Sequence, residues 1–213
     1  METIIIPASN PEALRRAQEI LNKGGLVAFP TDTVYGLGAP AFDGQAIEGI
    51  YKAKGRPLEK SIPILLGDVD DLAKVSVDIP EIALKLAARF WPGPLTLVVP
   101  KRLELPNQIS STSTVAVRMP DYPVARDLLR LVGPMAVTSA NLSGQPSPST
   151  ADDVLSQLSG RIALILDGGK TPGGVPSTVV DCIGVELQVL REGPISKDEI
   201  FAVYRGIDQK WME

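Results

Sequence analysis

The sequence contains no histidine, a single cysteine and few aromatic residues (5%). Without histidine, Ser-His-Asp and Cys-His nucleophiles, zinc protease motifs and every mechanism that uses imidazole as base or ligand are excluded. One cysteine forms neither an internal disulfide nor a cysteine-rich zinc site. Because Cys182 lies in the apolar run VVDCI, we expect it to be buried and inert, and a reducing cytoplasm fits this composition best.

Long apolar runs and an excess of positive charge are also missing. No stretch approaches the roughly 18 apolar residues of a membrane span, and the first residues, Met-Glu-Thr, lack the basic segment of an export signal. The 21 Lys and Arg against 25 Asp and Glu give a net charge of −4, so any basic patch that attracts nucleic acid must be local. We therefore expect a cytoplasmic protein with no membrane partner.

The 213 residues are 44% hydrophobic and 22% charged, the mix of an ordinary globular protein. Short apolar runs alternate with helical patterns, which is typical of a layered α/β domain. The expected strands span residues 3–6, 26–29, 61–66, 95–99, 114–118, 135–138, 162–166, 177–183 and 186–191. The expected helices span residues 11–22, 45–54, 80–91, 123–131, a segment that begins near 150, and 197–204.

The last three expected strands follow one another too closely for crossover helices. We therefore predict antiparallel pairing among them and a mixed sheet overall. No internal repeat and no boundary interrupts the chain, so we expect a single domain over residues 1–213.

Two segments near the N-terminal half carry polar groups suited to binding an anion. PTDTVYGLG (residues 30–38) follows a buried strand, where open α/β sheets hold ligands; the alternative is a polar turn closed by Asp32. Lys54, Arg56 and Lys60 follow a helix and either cap its carbonyl end or bind an anion. Three cations within seven positions favour the anion site, and we expect Lys54 and Arg56 to be solvent-accessible.

The remaining polar segments supply further groups for the same purpose. VTSANLSG (residues 137–144) offers hydroxyl and amide groups and no ionisable base, while STVVD (177–181) and LREG (190–193) add a hydroxyl pair and an arginine. GGKT (168–171) is not a P-loop, because Leu164 stands where the first glycine belongs. Lys, Arg, Ser, Thr, Tyr and Asn suit the alignment of a polyanion for phosphoryl or nucleotidyl transfer. We therefore predict a nucleotide-using enzyme.

The order of these segments resembles the YrdC-like family over most of the chain. PTDTVYGL, Lys54-x-Arg56, Ser139-x-Asn141 and STVVD occur together with WPGPLT (91–96), VAVRMP (115–120) and LREG. The resemblance implies an α/β fold, with a twisted mixed parallel and antiparallel sheet and flanking helices around a deep basic cavity. It also implies an L-threonylcarbamoyladenylate synthase, which joins L-threonine, bicarbonate and ATP, bound with Mg²⁺, into threonylcarbamoyl-AMP and pyrophosphate. This product serves the t6A modification of tRNA at position 37, so the transferase proteins downstream are implied partners.

The matching motifs imply roles for individual residues. The implied threonine contacts are Thr33, Arg118, Ser139 and Ser177. The implied ATP contacts are Arg56, Lys60, Thr114, Asn141, Ser149 and Arg191. Lys54 is implied to hold bicarbonate or a carbamate near the phosphates, which makes Lys54 and Arg56 the catalytic candidates. No metal ion held by protein ligands is expected.

This sequence departs from the family pattern in two places. Some members place a histidine on the strand after Lys-x-Arg, where this chain has Leu65, and this affects one implied threonine contact. The chain ends at Glu213 and so resembles the short single-domain form.

One alternative is a relative that binds double-stranded RNA or tRNA without synthase activity, although net acidity and few aromatics count against it. The other is a paralogue that has lost this activity, or that handles a carbamoyl adenylate in metal-cofactor maturation.

Overall fold

The computed structural model describes residues 2–206, and its strands form one ten-stranded sheet within that range. The strands are Ile4–Pro7 (β1), Val27–Phe29 (β2), Gly36–Pro40 (β3), Ile64–Leu65 (β4), Leu95–Pro100 (β5), Thr114–Arg118 (β6), Met135–Ser139 (β7), Leu164–Asp167 (β8), Thr178–Asp181 (β9) and Gln188–Arg191 (β10). The helices are Ala13–Leu21 (α1), Gly44–Lys54 (α2), Leu72–Val75 (α3), Glu81–Phe90 (α4), Pro123–Val132 (α5), Ala151–Leu158 (α6) and Lys197–Tyr204 (α7).

The sheet combines parallel and antiparallel neighbours, which confirms the predicted mixed α/β fold. Its order is β1-β8-β2-β3-β7-β4-β6-β5-β9-β10. The pairs β1/β8, β2/β8, β4/β6 and β5/β9 are parallel, and the other neighbours are antiparallel. None of the helices within residues 2–206 combines the length and the apolar character needed to cross a membrane. A single domain over residues 1–213 stays a prediction.

Alternate side chains of the sheet belong to two apolar clusters, one on each face. Val27 and Phe29 of β2 pack in a cluster with α1 and α5, whereas Ala28 between them belongs to the cluster that contains α2, α4 and α6. On the first face, α1 and α5 pack against β2, β7, β8 and Leu65 of β4. That face is therefore left open over β5, β6 and β9. The cavity described below lies there and extends to Leu65 of β4 and the C-terminal end of β7.

The closing strands pair differently from the prediction. β9 and β10 are antiparallel, with Gln188 opposite Asp181, but β8 lies on the other side of the sheet, parallel to β1 and β2. The loop of residues 168–177 crosses the sheet between them, and on its way Gly174 N donates to Thr33 O (2.7 Å). An extended loop of this length spans about 35 Å, close to the seven strand spacings that separate β8 from β9. Strands that are near in sequence are therefore not neighbours here.

Strand β3 (GLGAP) falls in the segment that the sequence predicts as a ligand-binding turn. Glycine and proline have low strand propensity, yet β3 pairs along its length with β7 and also with β2. A Cβ on Gly38 would lie 2.7 Å from Met135 Cε and 3.0 Å from Phe29 Cε1. Close packing of these side chains therefore favours glycine there, and pairing with two neighbouring strands overrides local propensity. The strand expected over residues 61–66 is confined to Ile64–Leu65.

The assigned core can be tested with one leucine in the sheet. Leu97 of β5 is fully buried, whereas Leu103 is 96% exposed. Leu97→Ala leaves a cavity in the core, so it should lower the free energy of unfolding by about 3 kcal/mol. Leu103→Ala, the same change at the surface, should shift it by less than about 0.5 kcal/mol. Denaturant titrations measure both values, and equal effects of the two substitutions would contradict the assigned core.

Candidate active site

A cavity of about 370 Å³ lies on the sheet face that α1 and α5 leave open. Residues of several strands form its floor, and the segment between β2 and β3 lies against it. The strand residues that line it are Gly36, Leu65, Thr96, Ala116, Arg118, Val137, Thr138, Ser139, Val179 and Arg191. A second depression, of about 520 Å³, lies beside α7, and none of its five lining residues is a predicted site residue.

Six of the predicted site residues line the cavity, namely Thr33, Arg56, Arg118, Ser139, Ser177 and Arg191. They include all four residues assigned to threonine and two of the six assigned to ATP. The five predicted residues that do not line it are Lys54, Lys60, Thr114, Asn141 and Ser149. In the part of the chain that the structure describes, three arginines and no Asp or Glu line the cavity, so its basic character is confirmed.

Arg118 ends β6 and is buried against the segment that follows β2. Its Nε donates to Gly93 O (3.0 Å), its Nη1 to Thr33 Oγ1 (2.9 Å) and its Nη2 to Asp32 Oδ1 in an ion pair. Burial lowers the pKa of Arg118, and Asp32 opposes part of that shift. Three contacts fix the guanidinium plane and leave two of its five N–H groups for an anion in the cavity.

Thr31 rather than Asp32 closes the turn after β2. The Thr31 hydroxyl accepts from Thr33 N (3.2 Å) and Val34 N (3.3 Å) and donates to Val34 O (2.7 Å). The alternative of a turn closed by Asp32 is therefore wrong. Asp32 is a site residue that sequence analysis missed, because its partner Arg118 lies 86 positions away.

Ser177 precedes β9 and is held by side chains of both neighbouring strands. Its Oγ lies 2.8 Å from Thr96 Oγ1 on β5. Arg191 of β10 donates through Nε (3.0 Å) and Nη2 (2.8 Å) to Ser177 O. A Cβ on Gly193 would come within 2.4 Å of Pro176 O, so glycine is needed for this close approach. Thr96 is assigned no role from the sequence, although it is the last residue of the WPGPLT motif.

Lys54 is the last residue of α2, which ends at Gly55 in the left-handed conformation (φ 59°). Its Nζ donates to Ser139 O and to Asn141 O, the latter at 2.5 Å, and the residue is only 2% exposed. The expectation of a solvent-accessible Lys54 is therefore wrong, because the helix ends against the segment after β7. Burial, followed by the charge of Arg56, lowers the pKa of Lys54 to about 7.

Arg56 is partly buried in the loop after α2 and lines the cavity. Its Nε donates to Lys60 O (3.1 Å) and its Nη2 to Ser61 O (2.8 Å). Burial lowers its pKa. Lys60 itself is exposed and supplies a carbonyl to Arg56 rather than a charge to the cavity wall. The loop therefore wraps around the guanidinium and holds it at the cavity, instead of the guanidinium capping the helix.

Besides Lys60, three predicted ATP contacts lie outside the cavity wall. Thr114 Oγ1 is 2.9 Å from Thr112 Oγ1, and Ser149 Oγ donates to Asp153 Oδ2 (3.3 Å). Asn141 Nδ2 donates to two carbonyls of its own loop, while Asn141 Oδ1 is buried without a partner among the described residues. Since a buried unpaired acceptor is unfavourable, this oxygen is suited to a ligand or a water molecule.

Leu65 lies on the cavity wall, paired in register with Arg118. Together with Val137 and Ala116 it forms an apolar wall next to the polar groups. The chain therefore presents a hydrophobic surface at the position where the resemblance places a histidine in some family members.

The buried Lys54 predicts a specific pH dependence of stability. In the unfolded chain Lys54 has its ordinary pKa of 10.5 and stays protonated up to that pH. In the folded chain its pKa is about 7, so the amine loses its proton near pH 7. Between these values the unfolded state binds more protons, so the free energy of unfolding rises with pH. We expect the difference between wild type and Lys54→Met, from urea titrations, to increase from about pH 7 to about pH 10. Lys52→Met, at an exposed neighbour, should show no such rise, and a flat difference for Lys54→Met would contradict its burial.

Known proteins share both the sequence and the fold of this chain. A sequence model of the Sua5/YciO/YrdC family, described as "Telomere recombination", matches residues 19–193. The threonylcarbamoyl-AMP synthase of Bacillus subtilis (strain 168) is 45% identical over 199 residues, which are 92% of this chain and 58% of that protein. A putative threonylcarbamoyl-AMP synthase of Mycobacterium tuberculosis (strain ATCC 25618 / H37Rv) is 41% identical over 203 residues, 95% of this chain and 93% of that protein.

A solved structure of P. abyssi Sua5 complexed with L-threonine has a TM-score of 0.90 and 44% identity, over 95% of this chain and 61% of that chain. The chain thus spans less than two thirds of the length of the B. subtilis and P. abyssi proteins. It spans nearly all of the M. tuberculosis protein. The ordered motifs, the mixed sheet around a basic cavity and these similarities lead to one conclusion: the chain belongs to the Sua5/YciO/YrdC family.

Proposed function

We propose that this chain is a threonylcarbamoyl-AMP synthase, a nucleotidyltransferase that uses ATP and L-threonine. The observation that carries the proposal is the charge arrangement of one cavity. Arg118 is paired with Asp32, whereas Arg56 and Arg191 have no carboxylate partner among residues 2–206 and keep their charge for an anion. Relatives named as synthases and the threonine-bound P. abyssi structure support the same assignment.

In this proposal the amino acid binds at Arg118. Its α-carboxylate accepts from the two remaining N–H groups of the guanidinium, a charge-assisted contact that fixes its orientation. The hydroxyls of Thr33, Ser139 and Ser177 line the same cavity and supply further polar contacts. The wall at Leu65 suits the methyl group of threonine.

The chemistry then consists of two bond-forming steps. The nitrogen of threonine attacks the carbon of bicarbonate to give a carbamate, and water and one proton leave. A carbamate oxygen attacks the α-phosphorus of ATP, and the bond to the departing pyrophosphate breaks. Arg56 and Arg191 neutralise phosphate charge that would otherwise repel the carbamate. Neither step needs histidine, because orientation and neutralisation of charge supply the catalysis.

Lys54 takes part through the main chain in this proposal. Two of its N–H groups are used by Ser139 O and Asn141 O, so it braces the segment that carries the Ser139 hydroxyl and the unpaired Asn141 oxygen. We therefore assign Lys54 a positioning role, in place of the direct bicarbonate contact that the resemblance implies.

Mg²⁺ enters the proposal only together with ATP. Mg²⁺ at nucleotide sites is typically coordinated by the phosphate oxygens of the substrate, so in this proposal the ion arrives bound to ATP. Bicarbonate as the carbon donor, tRNA t6A37 as the final product, a downstream transferase as partner and a cytoplasmic location stay predictions that rest on the family resemblance.

The relatives do not favour the alternative of an RNA-binding paralogue without synthase activity. Salt distinguishes the two cases, because binding to several phosphates of RNA weakens steeply as salt rises. A steep salt dependence of RNA binding together with no turnover would favour the alternative.

Omission of single substrates tests the proposed reaction. The purified chain with ATP, Mg²⁺, bicarbonate and labelled L-threonine should release pyrophosphate and form a labelled adenylate. Both products should disappear when either threonine or bicarbonate is left out, because the carbamate is the nucleophile. Pyrophosphate release that persists without threonine would contradict the proposal.

Arg56 can be tested against a matched arginine. Arg56→Ala removes a guanidinium held at the cavity, so kcat/KM for adenylate formation should fall by about 10²- to 10³-fold. Because Arg56 is partly exposed, the substitution should change the free energy of unfolding of the protein by less than about 1 kcal/mol. Arg15→Ala, on the surface of α1, should leave both values near wild type. Near-normal turnover of Arg56→Ala would remove this residue from the machinery.

A further inference from the structure

Asp32 is the carboxylate that forms an ion pair with a cation of the cavity. Its side chain is 12% exposed and that of Arg118 7%, so the pair is largely withdrawn from water. Arg56 and Arg191 differ, since their guanidinium groups donate to main-chain oxygens. Within the described residues, Arg118 therefore has a carboxylate partner, whereas Arg56 and Arg191 have none.

The position of Asp32 is fixed from several sides. Gly174 N donates to Thr33 O (2.7 Å), and a Cβ on Gly173 would lie 2.5 Å from Asp32 O. The crossing loop thus packs directly on the main chain of Asp32, while Gly93 O holds Arg118 from the other side. The carboxylate and the guanidinium are therefore preorganised as a pair and do not depend on a ligand to assemble them.

The pairing has a consequence for the charge of the ligand. An unpaired Arg118, with Arg191 close enough to add to the positive potential, would attract any anion, including the phosphates of ATP. With Asp32 present, the Arg118 pair has no net charge. Asp32 lies behind Arg118 and does not line the cavity, but its fixed negative charge favours a positive group near Arg118. An α-amino acid carries one carboxylate and one ammonium group, which matches this arrangement.

We propose that Asp32 determines specificity: it makes the Arg118 subsite select a zwitterionic amino acid over a simple carboxylate anion. This inference rests on the proposed function, because it concerns the threonine end of that reaction. Asp32 acts through charge and through the orientation of Arg118. It combines attraction of the correct ligand with discrimination against the wrong one, since it repels anions that lack the ammonium group.

Calorimetric titration of two ligands of nearly equal shape tests the proposal. L-threonine is compared with 2,3-dihydroxybutanoate, in which a hydroxyl replaces the ammonium group. Asp32→Asn keeps the size of the side chain and removes its charge, so the preference for threonine over the anion should fall by about 10-fold or more. Asp32→Glu should retain the preference, and Asp70→Asn, at an exposed position, should leave it at the wild-type value.

The outcomes separate this proposal from the proposed function. If wild type binds threonine and Asp32→Asn shows an unchanged ratio of the two affinities, Asp32 does not set specificity while the synthase assignment stands. If wild type binds neither ligand, both proposals are overturned. A structural defect alone would weaken both ligands equally and leave the ratio as it was. If Asp32→Asn does not fold, the two affinities of the wild type still test the proposal, because equal affinity for L-threonine and 2,3-dihydroxybutanoate would overturn it.

Discussion

Positive charge withdrawn from water beside the cavity is stabilised mainly by main-chain carbonyl oxygens, and this constraint ties the site to the fold. Lys54 and Arg191 each donate to carbonyls of a separate strand end or loop, and Arg56 to carbonyls of its own loop. Burying a charge costs free energy unless polar groups replace its lost hydration. The segments that carry these oxygens must therefore stay in place, and they are the same segments that present the hydroxyl groups of the site.

Helices cover only part of one face of the sheet, and the segments that form the site lie at the uncovered part. α1 and α5 shield β2, β8 and most of β7, whereas the cavity lies over β5, β6 and β9 and extends to Leu65 and the C-terminal end of β7. On the open half, the period of two along a strand separates core from site. In β6, Val115 and Val117 enter the core while Ala116 and Arg118 line the cavity. One strand therefore contributes to stability and to ligand binding with alternate side chains.

Much of this organisation could be predicted from sequence, and the failures have physical causes. The mixed α/β class and most strands follow from local patterns, and the six predicted residues that line the cavity follow from the ordered motifs of the family resemblance. β3 could not be predicted, because glycine and proline have low strand propensity and the strand forms through its pairing with β2 and β7. The neighbours of β8 could not be predicted either, because a long Gly- and Pro-rich loop carries the chain across the sheet. Lys54 is predicted to be a solvent-accessible cavity residue, and its burial could not be predicted because it depends on a contact with Ser139, 85 positions away.

The sequence by itself determined the chemical repertoire: no imidazole, no thiol pair, and an ordered set of Lys, Arg, Ser, Thr and Asn that marks the family. Only the tertiary structure decided which of these groups are paired, buried or open to a ligand. Asp32 meets Arg118 across 86 positions, and Lys54 meets Ser139 across 85. Such contacts have no local signal, because strand register and helix packing, rather than neighbouring residues, bring the partners together and set the dielectric around them.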